Sequence, residues 1–177
     1  TVVDAGTLTL SGGSALANSM AVTVNASGTL KLASAEEIAT LAGVGAVNLQ
    51  ANALTLSGAG NTTYSGVMSG SGSLVKSGSG ELTLSGANTF SGGATVSGGA
   101  VLVGDNAAFG SGTVVFSGGK IASDGATART VGNALTLSGG LALGDGTNTG
   151  AMTFTGAAAL SAATTLTVGS GVTMSGV

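Results

Sequence analysis

Residues 53–66 read ALTLSGAGNTTYSG, and the phrase returns with one deletion at 81–92 as ELTLSGANTFSG. Repetition of a short strand-and-turn phrase at a fixed period is the mark of a solenoid. Leu-Thr-Leu puts two apolar side chains on one side of a strand and a polar one on the other, and Ser-Gly then permits a bend. The five-residue signature stands at 8–12, 54–58, 82–86 and 135–139. No strand of that length buries its apolar edge alone, so neighbouring units must stack and share a core.

A second register measures the unit. Ser-Gly-Gly occurs at Ser97-Gly98-Gly99, Ser117-Gly118-Gly119 and Ser138-Gly139-Gly140, in steps of 20 and 21 residues. An apolar stretch follows each time (Val101 to Val103, Lys120 to Ala122, Leu141 to Leu143), and an aspartate follows that, at Asp105, Asp124 or Asp145. With coils of ~20–22 residues and ~4.8 Å between coils, the chain makes about eight coils and a column roughly 40 Å tall.

Composition agrees. The hydrophobic fraction is 43% but aromatics are only 3%, so the interior is filled by Val, Leu, Ala and Thr, which suits a narrow stacked core better than a broad globule. Charged residues are 6%, and Ser, Thr, Asn and Gly take their place, a balance unlike that of disordered chains. The absence of Pro leaves every backbone donor available to a ladder, while 34 Gly supply corners. The expectation is an all-β chain and, with no compositional break, a single domain over 1–177.

Several function classes fall away. Without His or Cys, the usual catalytic triads, thiol nucleophiles and His-based metal sites cannot be built. Lys31, Lys76, Lys120 and Arg129 are scattered and give no basic stripe for nucleic acid. The strands are shorter than the about 9–11 residues of an outer-membrane barrel and lack its aromatic girdles, so the chain is read as not membrane-spanning. The start, Thr1-Val2-Val3-Asp4, shows no signal pattern, so any signal has been removed or lies upstream. The last residues, Val172-Thr173-Met174-Ser175, still alternate, which leads us to expect more chain or another copy at the end of the column.

One segment departs from the pattern. Ser34 to Leu41 carries an apparent capping box, Ser34 with Glu37, and predicts a short helical excursion near residues 34–42, ended by Gly43, with Ile38 and Leu41 facing the strands.

Three further constellations carry chemistry. The register places Asp105, Asp124 and Asp145 near one corner of three successive coils, where stacked carboxylates repel unless a hard cation such as Ca²⁺ lies among them. Against this stand the ordinary role of Asp in turns and an offset from the glycines of six residues in the first coil but five in the other two. Asn61 and Asn88, each a few residues ahead of Tyr64 or Phe90, read as internal corner amides. The outward Thr of Thr7-Leu8-Thr9 and Thr165-Leu166-Thr167 reads as plain strand chemistry before anything more specialised.

Residues 74–105, LVKSGSGELTLSGANTFSGGATVSGGAVLVGD, closely resemble the autotransporter-associated β-strand repeat of type V secreted passenger domains. Lys76, Gly78, Gly80, Leu82, Leu84, Gly86, Asn88, Phe90, Gly92, Gly93, Gly98 and Gly99 fall where that repeat has such residues. The resemblance implies a right-handed parallel β-helix, carried to the bacterial cell surface or beyond by a C-terminal barrel absent from this sequence. It further implies a non-catalytic stem that displays or spaces other domains and contributes to adhesion. Its partners are then neighbouring coils, further copies of itself, or a glycan or host surface. No cofactor is implied, and calcium at the aspartate corner is the one metal considered. Two rivals remain: a secreted unit that assembles end to end into a fibre or sheath, and a β-helix that binds or cleaves polysaccharide.

Overall fold

The structure, a computed structural model, describes residues 1–176. It is an all-β solenoid of about nine turns, and each strand pairs in parallel with strands one coil away. Three runs of strands climb the column. The first contains Glu36–Ile38, Ala53–Leu56, Ser73–Lys76, Ala94–Val96 and Val114–Phe116, continued by residues 135–137 and 158–160. The second contains residues 2–3 and 21–24, then Thr40–Gly43, Thr62–Tyr64, Glu81–Leu84, Ala100–Val103 and Gly119–Ser123, and continues through 141–143 into the end of Ala158–Val168. The third begins at residues 5–10 and 27–32 with Ala46–Asn48 and Met68–Ser69, and resumes as Arg129–Val131, Met152–Phe154 and Val172–Met174.

Register explains why these residues form these strands. Leu54, Leu74, Ala94, Val114 and Leu135 stand one above another, and Ile38, Leu56, Lys76, Val96, Phe116 and Leu137 make the next inward file. Between them the outward file is Thr55, Val75, Thr95, Val115 and Thr136. The period-two alternation of each strand thus becomes an apolar ladder inside and a β-branched ladder outside. The inward residues form a single core cluster reaching from Val3 to Phe154. Each fully buried Leu or Val in it contributes about 1.5–3 kcal/mol.

Coil lengths vary more than the sequence register suggests. Leu30 pairs with Val47, but Leu143 pairs with Val168, so early coils are short and late ones long. Nine turns therefore fit where a uniform period gives about eight.

The expected helical excursion at 34–42 is absent, and no helix occurs among the described residues. Glu36–Ile38 pairs with Leu54–Leu56, and Thr40–Gly43 pairs with residues 21–24. Glu36 points inward, and its carboxylate accepts hydrogen bonds from the Leu16 and Ala15 amides at 2.6 and 3.1 Å. The ladder to the coils on either side supplies the backbone partners a helix would supply internally, and Ser34 instead accepts from the Gly13 amide at 2.8 Å. Ile38 and Leu41 are buried, as expected, but as strand residues.

The corners decide how closely coils approach. Gly45, Gly66 and Gly86 stack at one corner. A methyl on Gly86 would lie 1.9 Å from the Gly66 carbonyl oxygen, and one on Gly66 would lie 2.0 Å from that of Gly45. Both obstacles are backbone, which cannot turn aside as a side chain can. Gly86→Ala must therefore pry two coils apart, and we expect it to destabilise the column by about 1–3 kcal/mol. Chemical denaturation of the variant beside the parent measures this, and an unchanged midpoint would refute the tight corner.

Candidate functional site

The segment 74–103 lies at mid-column and holds four strands: Ser73–Lys76, Glu81–Leu84, Ala94–Val96 and Ala100–Val103. Leu82 and Leu84 are buried and lie above Val101 and Val103. The Ser-Gly-Gly corner follows Ala94–Val96, and Gly99 adopts φ 64°, a left-handed conformation that glycine takes without cost. Gly119 repeats it in the next coil at φ 84°.

Three polar side chains are folded into this apolar surround. Asn88 sits where the third run has no strand. Its Oδ1 accepts from the Met68 amide at 2.8 Å, and its Nδ2 donates to the Ala108 carbonyl at 2.7 Å. One buried amide thus bridges the coil before and the coil after, standing in for the missing ladder. Phe90, two residues on, is fully buried. Asn61 accepts from the Glu81 amide at 2.8 Å, so each asparagine binds the next coil and the two do not form a ladder with each other.

Tyr64 fills the space that Gly43 leaves in its file, and its hydroxyl donates to the Gly45 carbonyl at 2.7 Å. Burial pushes its pKa well above the ordinary phenol value.

Lys76 is the third. It occupies an inward position between Leu56 and Val96 and is only 4% exposed. Its ammonium donates to the Gly78 carbonyl and lies against Gly99 at the glycine corner. No acid pairs with it among the described residues, and burial lowers its pKa. The sequence reading placed Lys76 in the repeat but did not turn it inward. The signal was there: twenty residues before and after, Leu56 and Val96 take the same place.

The three aspartates are each satisfied separately. Asp105 accepts from the Ala107 amide at 2.8 Å in a tight turn. Asp124 receives Arg129, with Nη2 at 2.8 Å. Asp145 receives Lys120 at 2.6 Å and the Thr147 amide at 2.9 Å. Burial alone would raise the Asp145 pKa, but the Lys120 ammonium and the Asn148 and Thr147 donors outweigh it and hold the carboxyl well below the usual range. Because Val103 pairs with Ser123, Gly104 rather than Asp105 lies level with Asp124. The one-residue difference in offset is therefore real. Among the described residues, no group of three or more acidic side chains is placed to hold a metal ion.

A comparison with protein families falls on this same segment. Residues 74–103 match the passenger-associated-transport-repeat family. The match and the parallel column around it fit the β-helix repeat of autotransporter passengers. No curated protein and no solved structure matches the chain.

Within the matched repeat, Asn88 and Lys76 should behave in opposite ways. Asn88→Ala strands a buried donor and a buried acceptor, and should cost about 2–5 kcal/mol in chemical denaturation. Lys76→Met removes a desolvated charge from an apolar file and should leave stability equal or higher. The sign with pH follows from the lowered pKa. The folded state sheds the Lys76 proton before the unfolded chain does, so stability should rise as pH climbs through the folded-state pKa toward the ordinary value of 10.5. Lys76→Met should abolish that rise, and denaturation midpoints between pH 7 and pH 10 check it.

Proposed function

We propose that this chain is a non-catalytic stem of a secreted or surface-displayed bacterial protein of the autotransporter kind, a rigid column that spaces or displays other domains. The observation that carries the reading is the continuous parallel ladder running through the matched repeat into the coils on both sides. Stacking supplies core and length together, because each added coil buries the inward file of the one before it. The lack of His and Cys and the separate pairing of Asp105, Asp124 and Asp145 support a mechanical role over a catalytic one.

Coils that contact only their neighbours are interchangeable to first order. Inserting a second copy of residues 81–100 after position 100 should therefore give a folded, β-rich protein longer by about 4.8 Å. Small-angle scattering reads the length, and circular dichroism reads the fold. A variant that unfolds, or one that folds without lengthening, sinks the stem reading.

The rival, end-to-end assembly into a fibre, draws on the exposed Leu160, Leu166 and Val168 of the strand Ala158–Val168. Electron microscopy separates the two: single short rods are expected of a stem, and filaments of a self-assembling unit.

A further inference from the structure

An open cleft of about 640 Å³ lies at the corner that ends the third run of strands, where residues 31–33, 50–52 and 70–71 stack. That is within the ~300–1,000 Å³ typical of ligand clefts. Lys31, Gln50, Asn52 and Ser71 line it, with Leu32 and Ala51 between them. Two features set it apart from the other corners.

The first is charge. Lys120 is paired with Asp145, Arg129 with Asp124, and Lys76 donates to a carbonyl. Among the described residues Lys31 is the one side-chain cation with neither an ionic partner nor a hydrogen bond, and it is half-buried at the cleft wall. Its neighbours in the ladder, Thr9 and Asn48, carry no charge.

The second is backbone strain. Gln50 has φ 53° and is the one non-glycine residue with positive φ among the described residues. At the same level in the next coil the chain uses Gly70, with φ 105°. Glycine makes this turn without the cost a side chain incurs in the left-handed region. Gln50 is nevertheless present and fixed, because its amide and its Nε2 both donate to Asn48 Oδ1, at 2.9 and 2.8 Å. That arrangement leaves the Gln50 Oε1 acceptor free. Residues held in such conformations concentrate at ligand clamps.

By contrast, the cleft lined by Asn106, Ser111, Thr130 and Asn133 carries no charge, and its amides are consumed. Asn133 donates to the Gly110 and Gly112 carbonyls, and Asn106 accepts from the Thr130 amide.

We infer that the Lys31–Gln50 cleft binds a carboxylated sugar unit of an acidic polysaccharide, with the carboxylate on the Lys31 ammonium and ring hydroxyls on the Gln50 Oε1 and the Ser71 hydroxyl. A free ammonium selects an anion, and a fixed amide acceptor beside a hydroxyl selects a ligand rich in hydroxyl donors. An open, shallow wall suits one unit of a chain running across the column rather than an enclosed small molecule. The inference is independent of the stem reading, since a stem that binds no glycan still folds and lengthens as described.

The test is titration of the ¹⁵N-labelled protein with trigalacturonate, with the neutral galactose trimer and acetate as controls. Trigalacturonate should shift the Gln50, Asn52 and Ser71 amides saturably, while both controls leave them unmoved at equal concentration. Lys31→Met, with the rest of its spectrum unchanged, should weaken binding roughly ten- to a hundredfold, the worth of one hydrogen bond to a charged group. Gln50→Gly should weaken binding while leaving the denaturation midpoint unchanged or higher, the mark of a strained residue kept for a ligand. Equal shifts with a control, no saturable shift, or a Lys31→Met variant that binds like the parent overturns the inference.

Discussion

The parallel ladder between successive coils governs everything else in this molecule. It fixes the coil-to-coil distance near ~4.8 Å over every strand and most corners, and that distance is short enough to forbid a Cβ wherever two corner backbones meet. The glycine content is thus a consequence of the pairing rather than a sign of looseness. At the Gly45–Gly66–Gly86 corner the chain gives up side chains so that carbonyl and amide groups of adjacent coils can close on one another.

The same constraint sorts the polar residues of the interior. Where the ladder is intact, inward positions are Leu, Val, Ile or Phe. Where it is interrupted, a polar side chain takes over a backbone function: Asn88 between Met68 and Ala108, Glu36 on the amides of Ala15 and Leu16, Asn133 on the carbonyls of Gly110 and Gly112. Lys76 differs in kind, because its file is unbroken and its ammonium serves only the glycine turn that follows. Its burial is a local cost that the column carries through the apolar neighbours above and below.

This sorting also sets what was legible in the sequence. Strands such as Ser73–Lys76, Glu81–Leu84 and Ala100–Val103 are written in plain alternation and were found within a residue of their limits. Thr62–Tyr64, Met68–Ser69 and Arg129–Val131 were not, because each offers one or two inward residues and takes its conformation from the coils that flank it. Glu36–Ile38 was misread as helix because Ser34 and Glu37 have capping-box spacing, a local signal that the non-local ladder overrides. The aspartate corner was located in sequence but not resolved, since a one-residue shift between coils decides whether carboxylates stack or each finds its own donor. Nothing in the sequence marked Gln50, because a positive φ at a non-glycine residue is visible only in three dimensions.

Stacking in register also accounts for the low charge. Outward side chains recur one above another about 5 Å apart, and two like charges at that distance repel by roughly 3 kcal/mol at an effective dielectric of ~20. A repeat that copied a lysine from coil to coil would add that penalty at every step, whereas copied Thr or Ser adds none. The charges that do occur obey this rule. Lys120 stands between Ala100 and Ala142 in its file and has Asp145 and Glu81 for company. Glu81 has Ala100 beside it, and Glu37 has Thr55. The outward file Thr55, Val75, Thr95, Val115 and Thr136 holds none. A repeating column can therefore grow without accumulating electrostatic strain only if its repeated positions are neutral. The few charged residues then belong to individual coils rather than to the repeat, and they are where function specific to this chain should be sought.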